Sequence, residues 1–178
     1  MIKKIFAAAI LAIMLFFAQD AAAEDNITYQ AYVEGLGWMQ PVKDSEIVGT
    51  TGQARRMEAL IINFDGGIKY RAHVENIGWQ KWSYAGETTG TVGQNLRMEA
   101  IQIELVGRTL QYYDVYYRAH VENIGWLGWA KNGEPAGTAG ASLRLEALQI
   151  LLVSKEDHFE TGNDKAAFYQ KIVNAPQV

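Results

Sequence analysis

Two tryptophans, Trp82 and Trp129, are the residues best suited to contact a ligand. Each follows another tryptophan by three residues, in a stretch rich in turn-forming residues. An exposed indole can stack on the apolar C–H face of a sugar ring, because its flat surface is apolar and its edge is polar. The alternative is that both side chains pack between neighbouring units of the fold. The sequence leaves these two uses open.

A recurring arginine–glutamate pair could also bind a ligand. In each pair the arginine precedes the glutamate by two residues, which places both side chains on one face of a strand. The pairs are Arg56 with Glu58, Arg97 with Glu99, and Arg144 with Glu146. A structural ion pair or cross-strand network is the favoured use. The alternative is a donor and acceptor for sugar hydroxyls or for a cell-wall carboxylate.

Metal binding and catalysis are not expected. His73 with Glu75, and His120 with Glu122, have the spacing of two ligands on one face, but a stable metal site needs three or four. Glycoside hydrolysis needs two carboxyl groups in different environments, whereas the glutamates recur in equivalent settings. We therefore expect no metal, no cofactor and no enzymatic activity.

All of these residues belong to three copies of one motif that align without a gap. The aligned segments are Tyr29–Glu58, Tyr70–Glu99 and Tyr117–Glu146. With their flanks they define copy 1 (about residues 27–65), copy 2 (68–106) and copy 3 (115–153). A repeat of this length identifies the structural unit of the fold.

The residue pattern of each copy predicts a set of short strands. Tyr70, Ala72 and Val74 alternate with polar residues, which is the period of a strand with one buried face. A glycine then precedes a tryptophan in every copy, which permits a bend that turns the indole toward the core. Three tryptophans are therefore expected to be structural core residues: Trp38, Trp79 and Trp126.

The second half of each copy predicts a glycine turn and another strand. A G-T-x-G sequence suits a turn with positive φ. The apolar phase then slips by one residue between Ala100 and Ile101, and again between Ala147 and Leu148, which predicts a β-bulge.

These units indicate an all-β domain of three repeats in a closed, pseudo-threefold arrangement. Neither end carries a polar capping repeat of the kind an open solenoid needs, and closure hides sheet edges. A β-prism-like assembly of three small sheets is the preferred architecture, with a β-trefoil as the alternative. Residues 154–178 form a tail in which 164–173 could make a short amphipathic helix.

The N-terminus and the composition bear on location and partners. Residues 1–23 have the charged start, apolar run and A-x-A end of a signal peptide, so a secreted or surface location is expected, with the periplasm as another option. No later segment has the length and apolar character of a transmembrane helix. The 178-residue chain has no cysteine and a net charge of −4, which argues against nucleic acid as a partner.

The run YRAHVENIGW, a second tryptophan, the G-T-x-G turn and LR-M/L-EA together resemble the clostridial hydrophobic-Trp (ChW) repeat family. The resemblance covers nearly all of residues 27–153. It implies an extracellular or surface-associated bacterial protein with a wall-binding or interaction role, and it brings no catalytic residues.

The first functional hypothesis is a secreted, non-catalytic protein that recognises cell-wall glycan or peptidoglycan through repeated weak sites, whose number raises avidity. The second is a structural subunit that binds a surface protein within an extracellular assembly. A small hydrolase is the weakest of the three.

Overall fold

The computed structural model describes residues 27–162 and 165–170. Over these residues the chain is all-β and contains three repeated units, as predicted, with one short 3₁₀ helix at Gly107–Gln111. No helix in this part of the chain could cross a membrane. The predicted signal peptide, residues 1–23, lies outside the described residues.

Every copy contributes five strands in the same order: a long strand, three short ones and a second long strand. Copy 1 contains β1 (Thr28–Val33), β2 (Gly37–Trp38), β3 (Val42–Lys43), β4 (Ile47–Gly49) and β5 (Met57–Asn63). Copy 2 contains β6 (Ile68–Val74), β7 (Gly78–Trp79), β8 (Ser83–Tyr84), β9 (Thr88–Gly90) and β10 (Met98–Leu105). Copy 3 contains β11 (Tyr113–Val121), β12 (Gly125–Trp126), β13 (Ala130–Lys131), β14 (Ala136–Ala139) and β15 (Leu145–Ser154).

Strand exchange joins the three copies. Within each copy the two long strands pair antiparallel, as β1–β5, β6–β10 and β11–β15. The fourth strand leaves its own copy and pairs with a neighbour's second long strand: β9 with β5, β14 with β10, and β4 with β15. Because β4 of copy 1 completes the sheet of copy 3, the exchange is cyclic, and each copy both donates and receives a strand.

The core is formed by the inward faces of these sheets. Along β6 the buried residues alternate with half-buried ones, as the sequence pattern predicted. In the first long strand of each copy, this alternation buries three side chains completely. They are Tyr29, Ala31, Val33, Tyr70, Ala72, Val74, Tyr117, Ala119 and Val121. Aliphatic side chains of the second long strands, such as Leu60, Ile101 and Leu148, complete the cluster.

The prediction that three tryptophans fill the core is wrong. Trp38 is 37% exposed, and Trp79 and Trp126 are half-buried. Each stands directly opposite an outward residue of the first long strand, as Trp79 does opposite His73. Directly opposed residues of an antiparallel pair share a face, so the indoles lie on the outer surface.

The predicted bulge is present, but it lies earlier than the apolar pattern indicated. The register shifts between Met98 and Ala100, which leaves Glu99 as the extra residue. The same shift leaves out Glu58 in β5 and Glu146 in β15. A bulged residue is unpaired within its ladder, and its carbonyl is then free for a neighbouring copy.

The first glycine of each G-T-x-G turn meets that bulge. Gly90 has a φ of +91°, and a Cβ atom there would lie 2.3 Å from the carbonyl oxygen of Glu58. The next residue, Thr91, donates its N–H to the same oxygen at 2.7 Å. Gly49 and Gly137 meet the carbonyls of Glu146 and Glu99 in the same way. Only glycine allows both the φ value and this backbone approach.

Buried tyrosines make a second contact between copies. The N–H of Ile62 in copy 1 donates to the Tyr70 hydroxyl of copy 2 at 3.0 Å, and that hydroxyl bonds the Glu87 carbonyl. Tyr117 receives the N–H of Ile103 at 3.0 Å, and Tyr29 receives that of Ile150 at 3.1 Å. The three tyrosines thus repeat the cyclic order of the exchanged strands.

The helix predicted for residues 164–173 is wrong where the structure describes them. Phe168–Gln170 forms a strand, β16, that pairs parallel with β14. The N–H of Gly137 also donates to the carbonyl of Ala167 at 2.9 Å. The open edge of β14 offers unpaired backbone groups, and residues 168–170 bind to them as a strand. Asp164 and residues 171–173 lie outside the described residues.

Substituting Tyr70→Phe should lower the free energy of unfolding by about 1–3 kcal/mol, because the buried N–H of Ile62 loses its acceptor. Burial raises the pKa of Tyr70 to about 12, while an unfolded tyrosine titrates near pH 10. Between about pH 10 and 12 only the unfolded chain loses this proton, so stability falls by up to about 1.4 kcal/mol per pH unit for this residue. The Tyr70→Phe variant should lack this contribution to the fall of the unfolding free energy with pH. Urea unfolding at several alkaline pH values measures it.

Tyr84→Phe is the matched control, since this tyrosine of the same copy is 55% exposed. Its stability and alkaline slope should equal those of the wild type. An unchanged slope in the Tyr70→Phe variant would contradict the buried contact.

Substituting Gly90→Ala should destabilise the fold by about 3 kcal/mol or more, because its Cβ would overlap the backbone of copy 1. Gly93→Ala, in the same turn, should cost only about 1–2 kcal/mol, the penalty of a left-handed conformation. Gly93 has a φ of +66°, and a Cβ there would have no neighbour closer than 3.7 Å. Thermal and urea unfolding of both variants measure the difference, and equal losses would refute the close approach.

Candidate functional site

The outer face of copy 2 carries alternating indoles and cations. The guanidinium of Arg71 lies 5.2 Å from the ring centre of Trp79 and 4.7 Å from that of Trp82. The ammonium of Lys69 lies 4.8 Å from the Trp82 ring. We call these four residues the copy 2 platform. Both indoles are half-buried, so each retains exposed surface.

Local strand pairing builds this platform. Arg71 and Lys69 belong to the outward face of β6. β7 pairs Trp79 opposite His73, and β8 pairs Tyr84 opposite Lys69. The two short strands therefore place Trp79 and Trp82 over the same stretch of β6.

Copy 3 repeats part of this arrangement. Arg118 lies 4.9 Å from the ring centre of Trp126 and 4.7 Å from that of Trp129. Partial burial lowers the pKa of Arg118 from its usual value. Tyr116 stands at the position of Lys69. Trp82 and Trp129 thus each stack on an arginine of their own copy.

Copy 1 does not form the platform. Gln30 replaces the arginine, and Pro41 replaces the second tryptophan. Trp38 remains and meets Tyr32 edge-on, with ring centres 5.6 Å apart. The three copies therefore share a core but present three different outer faces.

The C-terminal segment covers the aromatic residues of copy 3. Phe159 meets Trp129 edge-on with ring centres 5.2 Å apart, and lies 4.8 Å from the ring of Tyr116. Lys165 donates to the carbonyl of Trp126 at 3.3 Å. Copy 2 has no such cover among the described residues.

Gly128 explains why the segment lies on copy 3. Its N–H donates to the carbonyl of Ala166 at 3.0 Å. A Cβ at this position would lie 1.8 Å from the carbonyl oxygen of Lys165. The equivalent residues of the other copies are Gln40 and Lys81. Their side chains would block the same path.

The arginine–glutamate pairs form partly buried ion-pair networks. In copy 2, Arg97 bonds Glu99 at 2.9 Å and also pairs with Glu75. Copies 1 and 3 contain the same three-residue network: Arg56 with Glu34 and Glu58, and Arg144 with Glu122 and Glu146. The predicted pairs therefore do make contact. The bulged glutamates are at most 5% exposed, which favours the structural use; ligand binding by these pairs stays a prediction.

A histidine extends the network in two copies. His73 Nδ1 lies 3.2 Å from Glu99 Oε2, and His120 Nδ1 lies 3.2 Å from Glu146 Oε2. Neither pair is aligned for a hydrogen bond. In copy 1, where Tyr32 replaces the histidine, the buried Glu58 Oε2 has no hydrogen-bond partner within the described part of the chain. Across the described residues no group of three or more His, Asp or Glu side chains could hold a metal ion.

These networks line shallow clefts between adjacent copies. In copy 2 the cleft has a volume of about 440 Å³, and residues of copy 3, Gly140 and Ser142, form its far wall. The copy 3 cleft, of about 490 Å³, is completed by Gly52 and Ala54 of copy 1. The clefts thus follow the cyclic order of the strands.

The repeats match a known family. A family model described as clostridial hydrophobic W matches residues 32–66, 73–107 and 120–154. The chain belongs to this family. Each matched segment begins within the first long strand of a copy and includes the bulged glutamate. Neither the curated proteins nor the solved structures gave a significant match.

Sequence reasoning missed the cations of the platform. Arg71 and Arg118 follow the buried tyrosine in copies 2 and 3, and Gln30 takes that position in copy 1. The available signal was a cation on the outward face of a strand, followed in the sequence by a Trp-rich segment. The contact made by Phe159 had no comparable sequence signal, because it joins distant parts of the chain.

Substituting Gly128→Gln, the residue of copy 1, should displace residues 165–170 from copy 3. The added side chain has no room beside Lys165. Hydrogen exchange at residues 166–170 should accelerate by at least about tenfold, as local opening becomes favourable. The fluorescence of Trp129 should shift to longer wavelength as the segment leaves.

Lys81→Gly is the control, because it introduces the same glycine in copy 2, where no described segment lies. Exchange in the long strands should stay slow in both variants. If residues 166–170 stay protected from hydrogen exchange in the Gly128→Gln variant, the close contact between Gly128 and this segment is contradicted.

Proposed function

We propose that this protein is a secreted, non-enzymatic component of the bacterial surface that binds cell-wall glycan, including peptidoglycan. The observation that carries the proposal is the copy 2 platform, where Trp82 presents exposed indole surface beside a fixed arginine. Indole faces suit the apolar faces of sugar rings. Membership of the clostridial hydrophobic W family is consistent with surface association.

The copies contribute unequally to this binding. Trp82 in copy 2 is the principal contact. Trp129 in copy 3 is partly covered by Phe159, and copy 1 has Pro41 at this position. The protein therefore presents one open platform and one covered platform, rather than three equal sites.

The non-enzymatic assignment rests on the surroundings of the acidic residues. The buried glutamates of all three copies are paired with arginine in equivalent networks. An acid and a base for hydrolysis need environments that separate their pKa values. Equivalent networks do not provide that difference.

We also infer that the three sheets close around one axis in a β-prism-like arrangement. The cyclic exchange of β4, β9 and β14 supports this arrangement, since each sheet is completed by a strand of another copy. A β-trefoil would combine strands of its three copies in one barrel, whereas the strands here form three separate sheets.

A second function, as an interaction subunit of an extracellular assembly, is favoured by one observation. The edge of β14 accepts an extended segment, β16, in parallel pairing. The equivalent strands β4 and β9 end their sheets among the described residues. Such edges can accept a strand from a partner protein.

Substituting Trp82→Ala should reduce retention on purified clostridial cell wall by about tenfold, the equivalent of one good aromatic contact. Trp129→Ala should have a smaller effect, because Phe159 already covers that ring. Sedimentation of the full chain with insoluble wall measures both variants, and circular dichroism reports their folding.

Pro41→Ala, at the equivalent position of copy 1, is the matched control and should bind as the wild type does. Undiminished wall binding by Trp82→Ala would remove the aromatic platform from the proposal. If the wild-type protein does not bind wall but recovers a specific surface protein, the second function is supported instead.

A further inference from the structure

Two cations, Lys69 and Arg71, lie over the Trp82 ring in a chain whose net charge is −4, and a third, Lys81, directly precedes Trp82 in the sequence. Lys81 lines a shallow depression of about 480 Å³ together with Trp79 and Trp82. This local excess of positive charge runs against the overall charge of the protein.

The charge of Arg71 has no matching carboxylate in the described part of the chain. Its Nε donates to the neutral amide oxygen of Gln102 at 2.7 Å, and its other two nitrogens have no hydrogen-bond partner among residues 27–162 and 165–170. By contrast, Arg97 is matched by two glutamates. Lys69 is balanced by Glu104 at 3.0 Å. Arg71 is therefore positioned by a neutral group and keeps both charge and donors available.

The other copies lack this combination. Copy 1 has Thr28, Gln30 and Gln40 where copy 2 has Lys69, Arg71 and Lys81. Copy 3 keeps the arginine, as Arg118, held by Gln149 at 2.8 Å, but Tyr116 and Gly128 replace the two lysines. The cation cluster is therefore a property of copy 2 and not of the repeat.

We propose that the copy 2 platform, together with the adjacent Lys81, binds an acidic saccharide, whose carboxylate or phosphate contacts Arg71 and Lys81 while its sugar ring stacks on Trp82. Guanidinium and ammonium groups form strong charge-assisted hydrogen bonds with such anions. The flanking indoles partly desolvate Arg71, which strengthens its attraction for an anion. This inference rests on the proposed glycan binding and names the chemical class that copy 2 selects.

The test compares acidic and neutral probes by isothermal titration calorimetry on the full chain. Hexagalacturonate supplies carboxylates, phosphomannan supplies phosphates, and a hexamer of N-acetylglucosamine and unmodified mannan are the neutral probes. We expect at least one acidic probe to bind roughly tenfold more tightly than either neutral probe. That preference should decline as salt rises from about 0.05 M to 0.5 M.

Arg71→Gln, the residue of copy 1, should lose roughly tenfold in affinity for the acidic probe and much less for the neutral probes, whose main contact is Trp82. Lys81→Gln, at an exposed position, should weaken acidic binding by a smaller factor without affecting folding. Arg108→Gln, at an exposed position of the 3₁₀ helix outside both platforms, is the charge-matched control and should change neither.

The outcomes separate this inference from the proposed function. Equal binding of neutral and acidic probes, lost in Trp82→Ala but kept in Arg71→Gln and Lys81→Gln, would overturn the preference for anions and leave glycan binding intact. No binding to any saccharide or to cell wall would overturn both. The assignment is supported if the preference for acidic probes is lost in Arg71→Gln, reduced in Lys81→Gln and kept in the control variant.

Discussion

The contact between copies at the bulged glutamate is the constraint on which the rest of the structure depends. The bulge frees the carbonyl of Glu58, which then accepts the N–H of Thr91 from copy 2. Gly90 lets the two backbones approach, and Tyr70 bonds the N–H of Ile62 a few residues further along β5. Gly49 and Gly137 approach the carbonyls of Glu146 and Glu99 in the same way, and Tyr29 and Tyr117 repeat the hydroxyl contact. The three copies therefore hold one another through equivalent contacts in cyclic order.

The bulge also connects the core to the outer surface. The residue whose carbonyl binds the neighbouring copy carries a carboxylate that pairs with an arginine of its own copy. Burying a charge is costly unless it is paired and hydrogen-bonded. The invariance of the arginine–glutamate pair among the copies therefore has a structural cause, and it need not reflect a ligand.

The outer face is subject to much weaker constraints, and there the copies differ. Residues directed outward from the first long strand can change without disturbing strand exchange. Copy 2 has Arg71 and Lys69 there, copy 3 has Arg118 and Tyr116, and copy 1 has Gln30. Three repeated units thus carry an asymmetric surface, and the C-terminal segment increases the asymmetry because its described residues lie on copy 3.

Much of the strand pattern could be predicted from the sequence, because alternation and glycine placement are local properties. The period of two along Tyr70–Val74 located a buried face correctly, and the phase slip indicated a bulge. The outward position of Trp79 could not be predicted in this way. A large apolar residue is expected to be buried, and only its pairing opposite His73 reveals the face it occupies.

The sequence alone determined that this chain consists of three equivalent β units, since the repeat and its tyrosines, glycines and glutamates can all be recognised in the linear sequence. Only the tertiary structure decided which copy donates a strand to which, and where Arg71, Trp82 and Phe159 lie relative to one another. These relations depend on contacts between residues distant in the chain, and local periodicity carries no information about such contacts.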